Sequence, residues 1–248
     1  MKLCSITPVD KSKWMYELPY VMTLSHLVEK YPKYAEIAKN RNNNYVMVDN
    51  SIIEMGSSFS MERIYNAAKS INANEIILED AYPRGPETIE AIERSLKWLS
   101  NNNHFGEFKL QAVCHGQNEK EFRETFNYIN SIKEIDTIGI PKVLSVWAPK
   151  GERASLANIF TNTDKELHYL GTWNTLKELV DMPEDLKNRV RSCDTCLPSY
   201  YAIYNMNPME NRKGTIDLEE VYPGLTKDKY YSVLETYNLK YNNKIGDR

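Results

Sequence analysis

Three aspartates lie at or near the ends of predicted β-strands, and their carboxylates are the side chains best suited to do chemistry. Asp49 ends the run YVMVD, Asp80 ends EIILED, and Asp194 lies in VRSCDT. Carboxylates that are brought together repel one another, which raises the pKa values of some of them. One can then act as a nucleophile and another as a general acid or base. A carboxylate pair also suits chemistry at a glycosidic bond, where an oxocarbenium-like carbon must be shielded or trapped.

A purely structural role is the alternative interpretation for these strand-end residues. An aspartate at the start of a βα loop commonly caps the next helix, and this is the alternative for Asp49 and Asp80. Other predicted strands end near His115, Lys142 and Gly171, which could simply begin loops. A functional role is favoured because polar or small residues stand at the ends of nearly all the predicted strands.

The elements that carry these residues alternate between short apolar runs and segments with helical spacing. Continuous apolar runs are typical of strands that are buried on both faces of a parallel sheet. They predict strands over residues 3–7, 45–49, 75–80, 109–115, 137–140, 167–171 and 190–195. Apolar residues at helical spacing predict helices over residues 23–39, 60–71, 86–99, 119–132, 154–160, 175–179 and 229–237.

This alternation predicts an α/β protein with a parallel sheet. A (β/α)8 TIM-type barrel is favoured over a doubly wound sheet for two reasons. No glycine-rich dinucleotide or phosphate-binding fingerprint follows the first strand, and polar residues gather at the carboxyl ends of the strands, where barrel enzymes build their sites. We therefore expect one barrel domain over residues 1–248, with a helical tail from about residue 205 to residue 248.

Histidines and glycines at strand ends form a second group of candidates. His115 and His168 each lie close to a glycine. A lone histidine is more often structural than catalytic, but a neighbouring glycine allows the backbone to approach a ligand closely. Gly139 and Gly171 offer the same freedom, and the Gly139 amide could face a bound carbonyl.

Cationic side chains follow the middle strands and form a candidate rim for nucleic acid. A groove that tracks phosphates needs such cations, and aromatic side chains beside them can stack on bases. The alternative is an ordinary solvated surface. The cluster consists of Arg84, Lys142, Trp147, Lys150, Arg153, Trp173, Arg212 and Lys213. The candidate rim residues among them are Arg84, Lys142, Lys150, Arg153 and Lys213.

Composition narrows the class of protein. The 31 Lys and Arg residues against 34 Asp and Glu residues give a net charge of −3, so any nucleic-acid binding must come from a local patch. No apolar run approaches the length of a membrane span, and the first residues lack the apolar stretch of a signal peptide. These features predict a cytoplasmic protein without a membrane partner.

The four cysteines are too few for a disulfide scaffold in a chain of 248 residues. Cys193 and Cys196 have the spacing of half a zinc motif, but a second pair and a nearby histidine are missing. We therefore expect two small, semi-buried thiols and no metal site.

Several short segments occur in an order that is shared with a known enzyme family. They are VDNSIIE (48–54), LED (78–80), QAVCHG (111–116), TIGIP (137–141), HYLG (168–171) and SCDTCLP (192–198). Over roughly residues 45–204 the chain resembles the tRNA-guanine transglycosylase superfamily. It is most similar to the compact phage forms, which are linked to inserting 7-deazaguanine bases into DNA.

The resemblance implies that guanine in a nucleic acid is exchanged for a 7-deazaguanine such as preQ0, without a cofactor. Asp194 would be the nucleophile and Asp49 the proton shuttle. Asp80 would accept hydrogen bonds from the base, and Gln111 with the Gly139 amide would bind its carbonyl. His115, His168 and Gly171 complete the expected substrate-binding set.

The chain also departs from the family. It lacks the cysteine and histidine set that binds zinc in the tRNA enzymes, and it is much shorter. We therefore expect DNA as the polymer rather than tRNA, and the free 7-deazaguanine base as the second substrate. A hydrolase that acts on nucleosides or nucleic acid, with water in place of the incoming base, is the main alternative. A non-catalytic module that binds the base is another.

Overall fold

The protein is a closed barrel of eight parallel strands, which confirms the predicted (β/α)8 fold. The computed structural model describes residues 1–41, 44–172 and 177–242. Each strand pairs with the next, and the last pairs with the first between Leu3 and Cys193. The strands are β1 (Lys2–Ser5), β2 (Tyr20–Leu24), β3 (Tyr45–Asp49), β4 (Glu75–Ile77), β5 (Lys109–Val113), β6 (Thr137–Pro141), β7 (Glu166–Leu170) and β8 (Val190–Thr195).

Helices follow the strands and surround the barrel. They are α1 (Ser25–Lys30), α2 (Pro32–Lys39), α3 (Ile52–Met55), α4 (Met61–Ser70), α5 (Gly85–Asn101), α6 (Glu119–Ser131), α7 (Ala157–Phe160), α8 (Lys177–Val180), α9 (Glu184–Arg189), α10 (Leu197–Tyr204) and α11 (Lys227–Asn242). Short 3₁₀ segments lie before β2 and between β6 and α7. The start of the predicted helix over residues 175–179 lies outside the described residues, as do the last six residues of the predicted tail.

Strand β2 is absent from the sequence-based prediction, which assigned Thr23 to a long helix over residues 23–39. The strand pairs along its whole length with β3, and α1 begins directly after it. The helical pattern is interrupted at Pro32, as a proline predicts: α1 ends at Lys30, and Pro32 stands in the first turn of α2, where a proline is tolerated. Tyr31 before it is extended, as a residue that precedes proline prefers to be.

Apolar side chains pack in two layers, one between the strands and the helices and one inside the barrel. The outer layer is the larger and includes the buried faces of α4, α5 and α6. The inner layer closes the interior of the barrel beneath its mouth. It consists of Cys4, Ile6, Met22, Met47, Ile77 and Val113.

Arg191 closes the amino-terminal end of the barrel. Its guanidinium lies 2.8 Å from a carboxylate oxygen of Glu75 and 2.6 Å from one of Glu166. Burial lowers the pKa of Arg191, but Glu75 and Glu166 outweigh this effect and hold the pKa above its ordinary value. Since the three residues lie at the starts of β4, β7 and β8, this ion-pair network stabilises the end of the barrel that is opposite to the mouth.

The tail packs on the barrel through α11, which contacts α8 and α10. Tyr230 on α11 is fully buried, and its hydroxyl pairs with the Ser5 hydroxyl at the end of β1. No helix within the described ranges has both the length and the apolar character that crossing a membrane requires.

Replacing Gly116 by alanine is expected to destabilise the fold. A Cβ at this position would lie 2.5 Å from the backbone nitrogen and 2.7 Å from the Cα of Phe122, in the first turn of α6. Because backbone rather than a flexible side chain is in the way, we expect a loss of about 1–3 kcal/mol in the free energy of unfolding. Urea denaturation measures it, with Gly214→Ala as the control, since a Cβ there meets nothing within 4 Å. An unchanged midpoint for Gly116→Ala would contradict this packing.

Candidate active site

A cavity of about 190 Å³ opens at the carboxyl ends of the strands and holds four carboxylates. Asp49, Asp80 and Asp194 all line it, as the sequence predicted, and Glu54 joins them from α3. Ile6, Met22 and Val113 of the inner apolar layer form part of its wall. The cavity therefore combines an apolar floor with a concentration of acidic groups.

One carboxylate oxygen of Asp194 accepts hydrogen bonds from the protein, and the other is available to a ligand. Its Oδ1 accepts hydrogen bonds from the Gly171 backbone N–H at 2.9 Å and from His168 Nε2 at 3.1 Å. His168 Nδ1 lies 2.8 Å from the Ser192 hydroxyl, which holds the buried ring in this orientation. Asp194 Oδ2 accepts no hydrogen bond from the residues that the structure describes, so this oxygen can approach a ligand.

Gly171 can hold Asp194 because its backbone is in the left-handed region, with φ at +65°. Side chains other than glycine rarely adopt this conformation. A Cβ here would also lie 3.1 Å from Cδ of Lys142, whose aliphatic chain passes over the glycine. Gly171 therefore serves as the backbone donor to the carboxylate.

Asp80 and His115 form a buried pair with unused hydrogen-bonding capacity. His115 Nε2 lies 3.2 Å from Asp80 Oδ2. Asp80 Oδ1 and His115 Nδ1 are both buried without a protein partner. Leaving such atoms unpaired costs free energy, so an orphaned carboxylate oxygen at a cavity is available to a ligand that donates N–H or O–H hydrogen bonds.

The loop after β3 fixes Asp49. Asp49 Oδ2 accepts a hydrogen bond of 2.7 Å from the Ser51 N–H. Ser51 is itself left-handed, with φ at 63°, and its buried hydroxyl bonds to the His26 backbone N–H and ring. Asn50 Nδ2 donates to the Leu78 carbonyl at 2.8 Å. These bonds hold the Asp49 carboxylate rigidly at the mouth.

Burial holds the pKa of Asp49 well above its ordinary range, and the neighbouring charges of Glu54, Asp80 and Asp194 raise it further. The pKa of Glu54 is also raised, first by partial burial at the rim and then by Asp194. A carboxyl group with a raised pKa keeps its proton at higher pH and can donate it in a reaction. Asp49 is therefore suited to act as an acid and base in turn.

Asp49→Asn is expected to raise the melting temperature at pH 8 by a few degrees. Because the folded-state pKa of Asp49 is raised, its stabilising contribution is complete below the ordinary value of 3.8 and is lost as the pH rises through the folded value. An amide carries no charge at any pH. The difference between variant and wild type should therefore be small at pH 4 and grow towards pH 8 in thermal unfolding.

Glu36→Gln is the control for this titration, because Glu36 is exposed on α2 and remote from the cavity. Its melting temperature should differ from that of the wild type by a similar amount at every pH. A melting temperature of Asp49→Asn that falls below wild type as the pH rises would contradict the burial of a charge at Asp49.

Three predicted substrate-binding residues lie behind the cavity wall. His168 is fully buried and acts on Asp194 rather than on the cavity surface. Gln111 is also fully buried, with neither amide atom partnered, and it faces Gly139, where a Cβ would lie 3.0 Å from its Nε2. Neither Gln111 nor Gly139 lines the cavity. Their binding of the base carbonyl stays a prediction.

The predicted nucleic-acid rim requires a correction at Arg153. This side chain is 0% exposed and cannot reach a phosphate. It donates to the carbonyls of Ile140 and Gly171, pairs with Glu178 at 2.7 Å and stacks on Tyr169. Arg153 therefore ties together the ends of β6 and β7 and supports the loop that holds Asp194.

The other predicted rim residues are distributed unevenly. Lys142 lines the cavity. Arg84 is an exposed residue that pairs with Glu87 at 3.0 Å, while Lys150 and Lys213 are exposed outside the cavity. A shared rim made of these residues therefore stays a prediction.

Glu54 and Tyr82 line the cavity but were not among the predicted site residues. Arg212, which the sequence placed in the cationic and aromatic cluster, lines it as well. Glu54 lies in the same segment as Asp49 (residues 48–54), so the sequence could have indicated that it belongs to the site. Tyr82 stands edge-on to His115, with ring centroids 5.6 Å apart, and offers a partly exposed aromatic surface. Arg212 comes from the predicted tail, and it reaches the cavity because the tail packs against the barrel.

Within the described part of the chain, no group of three or more His, Cys, Asp and Glu side chains is arranged to hold a metal ion. Cys193 is buried on β8, and burial raises the pKa of its thiol. Cys196 lines the cavity, and burial likewise raises its pKa. The expected absence of zinc stays a prediction that elemental analysis can test.

No protein-family model and no curated protein matches this sequence. Solved structures with the same fold do match. D-psicose 3-epimerase from Clostridium cellulolyticum H10, solved with D-tagatose, has a TM-score of 0.54 at 8% identity, over 97% of this chain and 99% of that one. The YdjI aldolase from Escherichia coli K12 has a TM-score of 0.53 at 10% identity, over 99% and 91% of the two chains.

The dihydrodipicolinate synthase from Agrobacterium tumefaciens str. C58 is similar to the same degree, with a TM-score of 0.51 at 11% identity over 97% of both chains. At these identities the likeness shows the fold alone, because one barrel carries many unrelated chemistries. The function has to be argued from the residues of the site.

Proposed function

We propose that this protein is an enzyme that exchanges guanine in a nucleic acid for a 7-deazaguanine base through a covalent glycosyl–aspartate. The observation that carries the proposal is the state of Asp194. One of its oxygens is fixed by Gly171 and His168, and the other accepts no hydrogen bond from the described residues, in a cavity that also contains Asp49 and Asp80. A positioned carboxylate with one open oxygen is suited to attack a sugar carbon.

In the first half of the reaction, Asp194 Oδ2 forms a bond to C1′ while the bond from C1′ to the base nitrogen breaks. The leaving guanine takes a proton from Asp49, which holds one because its pKa is raised. The products are a glycosyl ester of Asp194, neutral guanine and the Asp49 carboxylate.

In the second half, a ring nitrogen of the incoming 7-deazaguanine gives its proton to the Asp49 carboxylate. This nitrogen then attacks C1′. The bond between C1′ and Asp194 breaks, which restores both carboxyl groups. Two displacements at one carbon retain the configuration of the sugar. The protons balance, because Asp49 loses one in the first half and regains one in the second.

Asp80 supplies the recognition of the base. Its unpartnered Oδ1 can accept from the N1–H and the exocyclic amine of guanine, while His115 occupies Oδ2. Adenine has no N1–H, so it would leave this buried oxygen unpaired. A site that is built to accept hydrogen bonds discriminates strongly against a ligand that lacks them.

DNA is the proposed polymer, on the basis of the departures from the tRNA enzymes that the sequence shows. The target nucleotide must leave its stack to reach a cavity at the mouth of a barrel. The exposed Tyr82 at this mouth offers a surface on which the displaced base can stack.

Incubation with radiolabelled guanine tests the proposed reaction. Single- and double-stranded DNA are supplied at low salt, with tRNA in a parallel reaction. Label entering DNA supports exchange on the proposed polymer, whereas label entering tRNA alone overturns the choice of DNA. Release of guanine from prelabelled DNA without incorporation would indicate a hydrolase. Binding of the free base without either reaction would indicate a non-catalytic module.

A further inference from the structure

Among the arginines that the structure describes, Arg212 differs in having no partner among the described residues. It is partly buried and lines the cavity beside Asp194. Among the arginines that the structure describes, the others each bond to a carboxylate or a carbonyl: Arg41, Arg63, Arg84, Arg94, Arg123, Arg153, Arg189 and Arg191. Arg212 has neither a hydrogen bond nor an ion pair with any described residue.

Arg212 is therefore not used to neutralise the acids of its own cavity. None of the four cavity carboxylates lies within ion-pair distance of it among the described residues. A guanidinium that is partly withdrawn from water without a partner loses hydration with no compensation. Its geometry suits a ligand that offers two oxygens side by side, such as a phosphate.

Lys142 places a second cation on the same wall. Its chain passes over Gly171, the residue whose amide holds Asp194. Burial lowers the pKa of Lys142 first, and the positive charge of Arg212 lowers it next. The negative charge of Asp194 acts in the opposite direction and raises it. Lys142 and Arg212 both line the cavity that contains Asp194, on a chain whose net charge is −3. An anion that binds between the two cations would relieve their mutual repulsion.

We infer that Arg212 and Lys142 form a subsite for the phosphodiester group next to the target nucleotide. This inference rests on the proposed function, because Asp194 marks where the sugar must lie. A cavity with four carboxylates repels a polyanion, so a local pair of cations is needed to seat the phosphate. The subsite selects a nucleotide within a strand over a free nucleoside, which carries no phosphate.

Binding of fluorescein-labelled single-stranded DNA with one guanine, followed by anisotropy at low salt, tests the subsite. Several flanking sequences are compared, and the tightest is used. Arg212→Gln should weaken binding roughly tenfold and reduce the slope of log K against log salt by about 1. Arg123→Gln is the matched control, because Arg123 is exposed on α6 and pairs with Glu119. Thermal unfolding checks that both variants are folded.

A methylphosphonate removes the charge of one phosphodiester linkage in the DNA. It can therefore show which phosphate Arg212 contacts. When it replaces the linkage directly 5′ or 3′ to the guanine, one of the two positions should weaken wild-type binding but leave Arg212→Gln unchanged. Equal losses for wild type and variant at both positions would overturn the subsite. An absence of DNA binding by the wild type would overturn it as well.

Inorganic phosphate separates a strand-bound phosphate from a free one. Added at constant ionic strength, it should compete only weakly for the wild type if the linkage is the ligand. Competition at micromolar phosphate would assign the subsite to free phosphate instead. Because these readouts need no exchange, a linkage effect without exchange would preserve the subsite and refute the proposed function. Exchange activity together with unchanged DNA binding in Arg212→Gln would support the proposed function and refute the subsite.

Discussion

Asp194→Asn is expected to lower the rate of base exchange by roughly 10³-fold or more while the protein remains folded. Asparagine has the shape of aspartate and keeps an oxygen that can accept from the Gly171 N–H. An amide does not form the ester bond to C1′, so the covalent route is closed. Initial rates of guanine incorporation into DNA, measured at matched concentrations of folded protein, give the size of the loss.

Asp185→Asn is the matched control for this substitution, because Asp185 is exposed on α9 and does not line the cavity. It should exchange guanine at a rate close to wild type. If Asp194→Asn retained more than about a tenth of the wild-type rate, the nucleophile would have to be another residue.

Asp80→Ala is expected to weaken the binding of free guanine and of preQ0 alike, by about 2–4 kcal/mol. The substitution removes the buried oxygen that lacks a protein partner and leaves His115 Nε2 without its own. Isothermal titration with each base measures the loss. Affinity for DNA should change little, because the backbone contacts are proposed to lie elsewhere.

Asp80→Asn provides the second arm of this experiment. It keeps the volume of the side chain but replaces one acceptor oxygen with a donor, which conflicts with the N–H groups of guanine. It should therefore bind guanine as poorly as Asp80→Ala does. A loss of DNA affinity with base affinity unchanged would place Asp80 in the contacts to the nucleic acid instead.

The sequence was informative about the barrel because its strands are buried on both faces. Runs such as residues 45–49 and 137–140 are continuously apolar, which a helix on the barrel surface would not be. Strand β2 (Tyr20–Leu24) was not predicted, because α1 begins at the residue after it. The apolar residues of the two elements therefore merge into one helical pattern. Pairing with β3, which defines it as a strand, is a long-range contact that local spacing does not reveal.

The carboxylates of the site were predictable for the same reason that the barrel was. Asp49 and Asp194 lie at the carboxyl ends of β3 and β8, and Asp80 comes shortly after β4. The parallel arrangement brings these strand ends to one mouth. Arg153 was predicted wrongly because a charged residue in a loop is normally exposed. Its burial depends on carbonyls from β6 and on the distant Glu178, which meet only in the folded chain.

The position of Arg212 also depends on contacts that form only when the chain folds. It belongs to a segment with no strand or helix pattern, and the packing of the tail against the barrel is what brings it to the cavity. The missing partner that makes it informative is a property of the folded surroundings. Spacing along the chain therefore identified the chemistry of the acids and a cluster of cations, but not that Lys142 and Arg212 are the cations of this cluster that line the cavity.

A trapped intermediate tests the central claim most directly. The protein is incubated with guanine-containing DNA, denatured, and analysed by gel electrophoresis and by mass spectrometry of its peptides. The account predicts a denaturation-resistant adduct of DNA on the peptide that contains Asp194, which excess guanine or preQ0 discharges and which Asp194→Asn does not form. Exchange that proceeds with the adduct on a different residue, or with an undiminished rate in Asp194→Asn, would contradict it.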